Sequence, residues 1–256
     1  MKTSILIPYH IMEDTSNLRN CLRTLYRQTV KPHQVIVIDD SVDALAVQRL
    51  CQEFDVDYIT LPYRQGLPQW GRKYNEAIQA VTGDTVMLLC ANWLCARYML
   101  EYMQMALTRL GEKAIVVSDS QRQQMDDAQG LPVDWFQNTA NQFVGQVEYP
   151  IPYLDGKAMM FETQNHNLID MGYLLLMRTQ DWIPWDEEFD KVGAWHSVIE
   201  WGWRLLNKHD MHLWILRGLL AWHQPAGFNF IPGKWLTQTK ESQRMLATKI
   251  PNQPAE

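Results

Sequence analysis

The pattern of apolar and polar positions in the first third of the chain predicts strands and helices that follow one another in turn. Short apolar runs read as buried strands, and between them apolar residues recur every three or four positions, as on one face of a helix. The predicted strands are 4–8, 34–38, 58–61 and 85–89, and the predicted helices between them are 18–29, 44–54 and 70–81. Strands that alternate with helices favour a parallel sheet covered by helices on its faces.

The pattern becomes looser in the rest of the chain. The predicted helices there are 97–110, 195–206 and 242–248, and the predicted strands are 114–117, 172–177 and 212–216. The stretch 119–146 is polar, rich in Gln and Asn and without periodicity, so we predict a long loop.

Composition narrows the class of protein. The 256 residues fit one α/β domain, and 46% hydrophobic with 20% charged residues is ordinary for a globular chain. A net charge of −6 disfavours a dedicated binder of nucleic acid or anionic membranes. The apolar runs are far shorter than the roughly 20 residues of a spanning helix, and no apolar leader precedes the first strand. We therefore expect a cytoplasmic protein without a transmembrane segment.

Two residue types call for interpretation. The four cysteines lack CxxC spacing and histidine neighbours, so buried reduced thiols are expected rather than zinc or disulfides. Eight of the eleven tryptophans lie between 182 and 235. Such a cluster is typical of a core, although tryptophan also offers flat faces to a sugar or a base.

Ligands of open parallel sheets bind beyond the carboxyl ends of the strands, so the polar residues directly after each predicted strand are the first candidates. These residues are Tyr9, His10, Asp39, Asp40, Ser41, 64–66 and 90–92. A phosphate-binding loop is nearly matched from Gly66 onward, but Arg72 occupies the place of its lysine and Lys73 that of its hydroxyl. We therefore reject a nucleoside triphosphatase.

Three segments together resemble the amino-terminal half of family 2 glycosyltransferases, which have the GT-A fold. They read SILIPYH, LRNCLRTLYRQTVKPHQVIVIDDS and QGLPQWGRKYNEAIQAVTGDTVMLL. The positions that match the family frame in order are Pro8, Tyr9, Leu25, Gln28, Asp39, Asp40, Ser41, Gly66, Arg72, Asn75, Ala80, Gly83 and Asp84. The second half resembles the family less closely, through Trp185–Phe189, through Glu200 and Arg204 on a predicted helix, and through His223.

The resemblance implies a single GT-A-like domain over 1–256, with a Rossmann-type, mostly parallel central sheet flanked by helices. Residues 1–95 would form the nucleotide-sugar-binding half, 96–236 the acceptor half, and 237–256 a C-terminal helix and loose tail. The implied reaction moves a sugar from a nucleotide-diphosphate sugar, with a UDP-sugar as first choice, to a carbohydrate or other hydroxyl acceptor with inversion.

The resemblance also implies a set of nucleotide-binding residues. Asp40 would accept the imide N–H of the base with Asp39 as a helper, Arg72 would pair with the diphosphate, and Tyr9 would flank the base. The remaining members of the set are Pro8, Gly66, Asn75 and Asn92. The competing interpretation is structural: both aspartates would only cap the following helix, and Arg72 would be a solvated surface residue.

On the acceptor side, an inverting transfer needs a base that takes the proton of the acceptor hydroxyl. Glu200 is the first candidate, with Asp186 and His196 in reserve. The residues expected to face the sugar or acceptor are Trp93, Trp195, Trp201, Trp203 and Arg204. Alternatively, Glu200 is a helix-surface carboxylate paired with Arg204 four residues on.

The family's metal-binding D-x-D place reads Cys90-Ala91-Asn92 in this chain. Hard cations such as Mg²⁺ or Mn²⁺ prefer charged oxygen ligands, so no metal cofactor is firmly expected, and Asn92 and His223 are only weak candidates. Arg, Lys and backbone N–H groups would then meet the charge of the leaving group.

Two further functions stay open at this point. One is a non-catalytic relative that binds a nucleotide-sugar or glycan, which the missing acids favour. The other is a glycosyltransferase whose acceptor is a hydroxylated DNA base, which the negative net charge disfavours.

Overall fold

The structure is a computed structural model that describes residues 1–10, 15–64, 69–118, 160–163, 174–192, 196–216, 221–223 and 232–250. The predicted loop at 119–146, residues 172 and 173 of a predicted strand, and the site candidates Gly66 and Trp195 lie outside the described residues.

Strands and helices follow one another in turn through the first four strands, as the sequence predicts. The strands are β1 (Thr3–Tyr9), β2 (Gln34–Asp39), β3 (Asp57–Thr60), β4 (Thr85–Leu89), β5 (Trp93–Cys95), β6 (Ala114–Ser118), β7 (Met160–Thr163), β8 (Leu174–Arg178), β9 (His212–Leu216) and β10 (Ala221–His223). The α-helices are α1 (Thr15–Leu25), α2 (Ala44–Phe54), α3 (Trp70–Ile78), α4 (Met99–Leu110), α5 (Ser197–Lys208) and α6 (Pro232–Lys249). Two 3₁₀-helices span Thr179–Asp181 and Glu187–Lys191.

Eight of these strands form one sheet in the order β3-β2-β1-β4-β8-β6-β9-β7. The strands β1 to β4 are mutually parallel, and β6 and β9 run in the same direction, because β6 is antiparallel to β8, which is itself antiparallel to β4. Only β7 and β8 run the other way within this sheet. The predicted mostly parallel sheet is confirmed, and the carboxyl ends of β1, β2, β3 and β4 meet at one edge.

Helices pack on both faces of the sheet. The apolar side chains of β1 alternate, so that Ile5 and Ile7 face a cluster with α1, α2 and α4, whereas Leu6 faces a cluster with α3 and α5. A strand that is covered on both faces is apolar along its whole length, which explains the apolar runs of β1 and β4.

Two residues of the sequence motifs have structural roles. Gln28 joins α1 to the start of α4, because its amide donates to Ala96 O at 2.6 Å and its Oε1 accepts the N–H of Leu100 at 3.0 Å. Gly83 precedes β4 where a Cβ atom would lie 2.6 Å from Lys2 O. Only glycine fits there without a shift of the backbone.

The C-terminal helix is longer than the sequence predicts, because it begins at Pro232 rather than at Ser242. Proline is well tolerated in the first turn of a helix, but the polar residues after it give little periodicity. The short strands β5 and β7 were not predicted from the sequence. All four cysteines are free and buried. No helix within the described ranges has the length and apolarity needed to cross a bilayer.

Candidate active site

A buried carboxylate, Asp40, follows the carboxyl end of β2 and is surrounded by polar groups. Lys73 Nζ, from the first turns of α3, lies 2.6 Å from Asp40 Oδ1, and His10 Nδ1 lies 2.8 Å from the same oxygen. The backbone N–H and side-chain amide of Gln69 donate longer hydrogen bonds to Oδ2, at 3.3 and 3.4 Å. With Ser41, these side chains form what we call the polar cradle.

The charges of the polar cradle offset one another. Burial opposes ionisation of Asp40, but the hydrogen bond from His10 and the charge of Lys73 more than compensate and hold the pKa of this carboxyl below its usual value. Lys73 is itself only 1% exposed, and its ammonium also donates to Tyr9 O. The cradle therefore keeps the Asp40 carboxylate ionised inside the protein at neutral pH.

Three polar atoms of the cradle are shielded from solvent and have no hydrogen-bond partner among the described residues. These atoms are His10 Nε2, Ser41 Oγ and Gln69 Oε1. A buried polar atom without a partner costs roughly 1–3 kcal/mol, so most such atoms in proteins are satisfied. Three of them in one place leave hydrogen-bonding capacity for a ligand.

Asp39 has a structural role in this arrangement. Its Oδ1 accepts the N–H of Ser41 at 2.7 Å and its Oδ2 accepts the hydroxyl of Tyr58 at 2.8 Å. The helix that follows is capped instead by Asp43, which accepts the N–H of Ala46. Asp39 therefore orders the turn that presents Asp40 and Ser41.

The start of α3 lies at the same edge of the sheet and is capped by a carboxylate from far along the chain. Asp190 accepts the N–H of Gly71 at 3.0 Å and that of Arg72 at 2.9 Å. Burial raises the pKa of Asp190 to about 6, against the lowering effect of these two hydrogen bonds.

The guanidinium of Arg72 makes no hydrogen bond or ion pair within the described part of the chain, so it is available to an anion.

The segment 185–191 is held against α3 by Asn75 and against α6 by Lys249. Asn75 donates to Trp185 O at 3.0 Å and accepts the N–H of Trp185 at 2.8 Å. Lys249 forms ion pairs with Asp186 and Glu188. Burial opposes ionisation of Asp186, but the Lys249 contact outweighs it and holds the pKa of this carboxyl below its usual value. Asn75 and Asp186 are thus engaged in holding the fold together.

Glu200 lies in the first turn of α5 and is buried. Its two oxygens accept from Arg204 Nε at 2.7 Å and from Arg204 Nη2 at 2.9 Å, which fixes the carboxylate in a bidentate pair. His196 lies one turn earlier, where its Nδ1 is 3.0 Å from Ser242 Oγ and burial lowers its pKa. The helix α5 leads directly into β9, which runs in the same direction as β1 to β4. We therefore infer that the amino end of α5 lies towards the carboxyl ends of these strands, at the edge of the sheet that carries the polar cradle.

The tryptophans occupy different environments. Trp201 is fully buried, stacks on Trp185 with ring centroids 4.8 Å apart, and donates to Ile183 O. Trp93 is buried in the core cluster of α1 and α4. Trp203 is only partly buried, with Lys208 Nζ 5.1 Å from its ring centroid. Trp201 and Trp93 thus lie in the core, which is one of the two roles expected of the tryptophans.

The place of the metal-binding acids does not fit a hard cation. Cys90 and Asn92 are buried, and they supply a soft sulfur and a neutral amide instead of carboxylates. The strand pair β5–β10 sets the backbone of His223 opposite that of Trp93, next to Asn92. In the part of the chain that the structure describes, no three His, Cys, Asp or Glu side chains are grouped as metal ligands would be.

Three residues of this region were not predicted as site residues from the sequence, and His10 was predicted only in general terms, as one of the polar residues that follow a strand. Lys73 stands out in the sequence only as a mismatch to a phosphate-binding loop. Gln69 and Asp190 carry no motif. Burial is the decisive property of all four, and a polar side chain that is buried by distant parts of the chain leaves no periodic signal.

Comparisons with known proteins agree with this fold. The model of glycosyl transferase family 2 matches residues 4–180, and the chain belongs to this family. None of the curated proteins matches the chain.

The structural neighbours include crystal structures of TarS from S. aureus. One superposes with a TM-score of 0.60 at 16% identity and covers 100% of this chain and 41% of that one. The 1–349 fragment in complex with UDP gives a TM-score of 0.61 at 16% identity, over 100% and 67% of the two chains. The complex of that fragment with UDP-GlcNAc gives 0.58 at 15% identity, over 100% and 68%. The chain thus spans less than half of the first of these neighbours, and the likeness shows that the GT-A fold is shared.

Proposed function

We propose that the chain transfers a sugar from a nucleotide-diphosphate sugar, with a UDP-sugar as first choice, to a hydroxyl acceptor with inversion. The observation that carries the proposal is the polar cradle at the carboxyl ends of β1 and β2, in a chain that belongs to glycosyl transferase family 2. Structural neighbours bind UDP and UDP-GlcNAc, which supports a UDP-sugar as the donor.

The donor nucleotide would lie over the carboxyl ends of the first strands. Pro8 and Tyr9 end β1 there, and Asp40 follows β2. The guanidinium of Arg72, which has no partner among the described residues, would meet the diphosphate, since a guanidinium can bind two phosphate oxygens at once. Direct contact between Asp40 and the base stays a prediction, and it requires the base to displace a present partner of this carboxylate.

The acceptor would approach from the side of α5. Glu200 is the proposed base, because the bidentate contact with Arg204 orients its carboxylate at the amino-terminal part of this helix. It would take the proton of the acceptor hydroxyl as that oxygen attacks the anomeric carbon, and the nucleoside diphosphate would leave with the electron pair of the broken bond. Asp186 and His196 remain the reserve candidates.

A second candidate function is binding of a nucleotide-sugar or glycan without turnover. The observation in its favour is the neutral Cys90-Ala91-Asn92 segment at the place where the family keeps metal-binding acids. A binding protein needs no metal to offset the charge of a leaving group.

The experiment that tests the proposal combines binding and turnover. Calorimetric titration with UDP, GDP, TDP and their sugars should show binding of a uridine nucleotide, and NMR of the products should show a β-linked sugar from an α-linked donor. Binding without turnover in an acceptor screen would favour the second function. No binding of any nucleotide would contradict both.

A further inference from the structure

We propose that Gln69 is the residue that reads the base: its Oε1 accepts the imide N–H of uracil, and the hydroxyl of Ser41, the residue after Asp40, donates to a uracil carbonyl. This inference rests on the proposed function and deepens it, because it names the group that selects the nucleotide. It also moves base reading from Asp40 to a neutral side chain beside it.

The orientation of the Gln69 amide is fixed by its surroundings. Its Nε2 lies 2.7 Å from Pro62 O and 3.4 Å from Asp40 Oδ2. A carbonyl and a carboxylate only accept hydrogen bonds, so the amide nitrogen must face them, and the oxygen must face the other way. Oε1 is therefore an acceptor in a fixed position, on a residue that is fully buried.

The partners of Asp40 argue against this carboxylate as the reader. Both of its oxygens already accept hydrogen bonds, and its charge is balanced by Lys73. To free Oδ1, the base would have to displace His10 or the Lys73 ammonium. To free Oδ2, it would have to displace the amide groups of Gln69, and each of these changes leaves a buried polar or charged group less well satisfied. Gln69 Oε1 gains a hydrogen bond without breaking one.

The pattern of unpartnered atoms fits uracil better than cytosine. Uracil presents a ring N–H between two carbonyls, which complements one acceptor and one hydroxyl donor. Cytosine has a ring nitrogen lone pair in place of that N–H, and the lone pair would face Oε1 and repel it. Because the cradle atoms are shielded in the free protein, the base must also displace the side chains that cover them.

The test is a cycle of ligands and variants measured by calorimetric titration. The ligands are UDP, CDP and N3-methyl-UDP, which lacks only the imide N–H. We expect the wild-type chain to bind UDP at least tenfold more tightly than either of the others. Gln69→Met keeps the length of the side chain but removes the oxygen. It should bind UDP about tenfold more weakly than the wild type does, and it should bind UDP and N3-methyl-UDP with equal affinity.

Two variants separate reading from a structural role. Asp40→Asn keeps the Gln69 oxygen and should still discriminate against N3-methyl-UDP. Gln79→Met, at the exposed end of α3, is the matched control and should behave as the wild type. If Gln69→Met does not fold, Gln69→Asn replaces it, since its shorter side chain withdraws the oxygen.

Each other outcome overturns the inference in a recognisable way. If Gln69→Met still discriminates fully between UDP and N3-methyl-UDP, or if Asp40→Asn no longer does, Asp40 or another group reads the base. Equal wild-type binding of UDP and N3-methyl-UDP would show that no side chain reads the imide, although the chain still binds nucleotide. Absence of nucleotide binding by the wild type would contradict the proposed function itself.

Discussion

At the scale of single residues, the ion pair between Lys73 and Asp40 is the most consequential feature of the site. Both side chains are almost fully buried, and each offsets the desolvation of the other. Breaking a buried ion pair by removing one partner leaves an uncompensated charge, which typically costs about 3–5 kcal/mol. The pair therefore links the integrity of the site to the stability of the fold.

We expect Lys73→Met to lower the free energy of unfolding by about 3–5 kcal/mol, measured by urea denaturation. The double variant Lys73→Met/Asp40→Asn should recover part of this loss, because the remaining carboxyl charge is then removed. Lys113→Met breaks an exposed pair with Asp210 and should cost less than about 1 kcal/mol. If Lys73→Met and Lys113→Met lower the free energy of unfolding by the same amount, burial does not determine the contribution of the pair.

Glu200 allows a second test at this scale. Glu200→Gln keeps the size of the side chain and one contact to Arg204 but removes the basicity of the carboxylate. Loss of base catalysis typically lowers the rate about 10²–10⁴-fold, so we expect kcat to fall by that factor with donor affinity unchanged. Turnover at the wild-type rate would place the base elsewhere, and Asp186→Asn and His196→Ala would then be measured.

At the scale of elements, the junction between α3 and the 3₁₀-helix Glu187–Lys191 positions the site. Asp190 caps the two N–H groups at the start of α3, and a Cβ on Gly71 would lie only 3.3 Å from the backbone of this segment. The start of α3, which carries Arg72 and Lys73, therefore depends on a contact formed more than a hundred residues later.

This junction predicts a pH dependence of stability. Burial raises the pKa of Asp190 to about 6 in the folded state, so the folded chain holds this proton over a range in which the unfolded chain has released it. The contribution of Asp190 is thus fully present below about pH 4 and is lost as the pH rises through about 6. Relative to Asp190→Asn, the wild type should lose about 2–3 kcal/mol over this interval, measured by denaturation at several pH values. If the difference in the free energy of unfolding between the wild type and Asp190→Asn stays constant with pH, the pKa of Asp190 is not raised.

Helices and strands were predicted correctly where an apolar pattern extends over enough residues of one continuous segment. The bounds of α2, β4 and β9 follow directly from the apolar pattern, because their residues alternate between core and solvent or lie wholly inside. Strands of three or four residues, such as β5 and β7, are too short to show a period. The Asp190 cap and the Gln69 contacts join distant segments, and no pattern within a single segment reveals them.

At the scale of the whole molecule, one edge of the sheet gathers the polar cradle, the start of α3 and the amino end of α5. Two cationic side chains lie at this edge. Lys73 is buried, and Arg72 has no partner among the described residues. Cys90 and Asn92 complete the edge without the charged oxygens that a hard cation prefers.

We therefore expect donor binding to be largely independent of metal. Titration of a UDP-sugar in EDTA should give an affinity within about threefold of that in Mn²⁺, because the residues that replace the acids offer no charged oxygen. Calcium should behave as manganese does in this experiment. Loss of binding in EDTA with full recovery in Mn²⁺ would show that other acids hold a metal.

The burial of every cysteine makes the folded chain suitable for labelling at a single position. Cys21, Cys51, Cys90 and Cys95 are shielded, and burial, with a smaller contribution from Asp39, raises the pKa of the Cys51 thiol to about 12, so its reactive thiolate is scarce. A cysteine introduced at Val42, which is 62% exposed and adjoins Ser41, would be the one thiol open to a maleimide dye. A fluorophore at that position would sit beside the polar cradle and report the arrival of a nucleotide in real time.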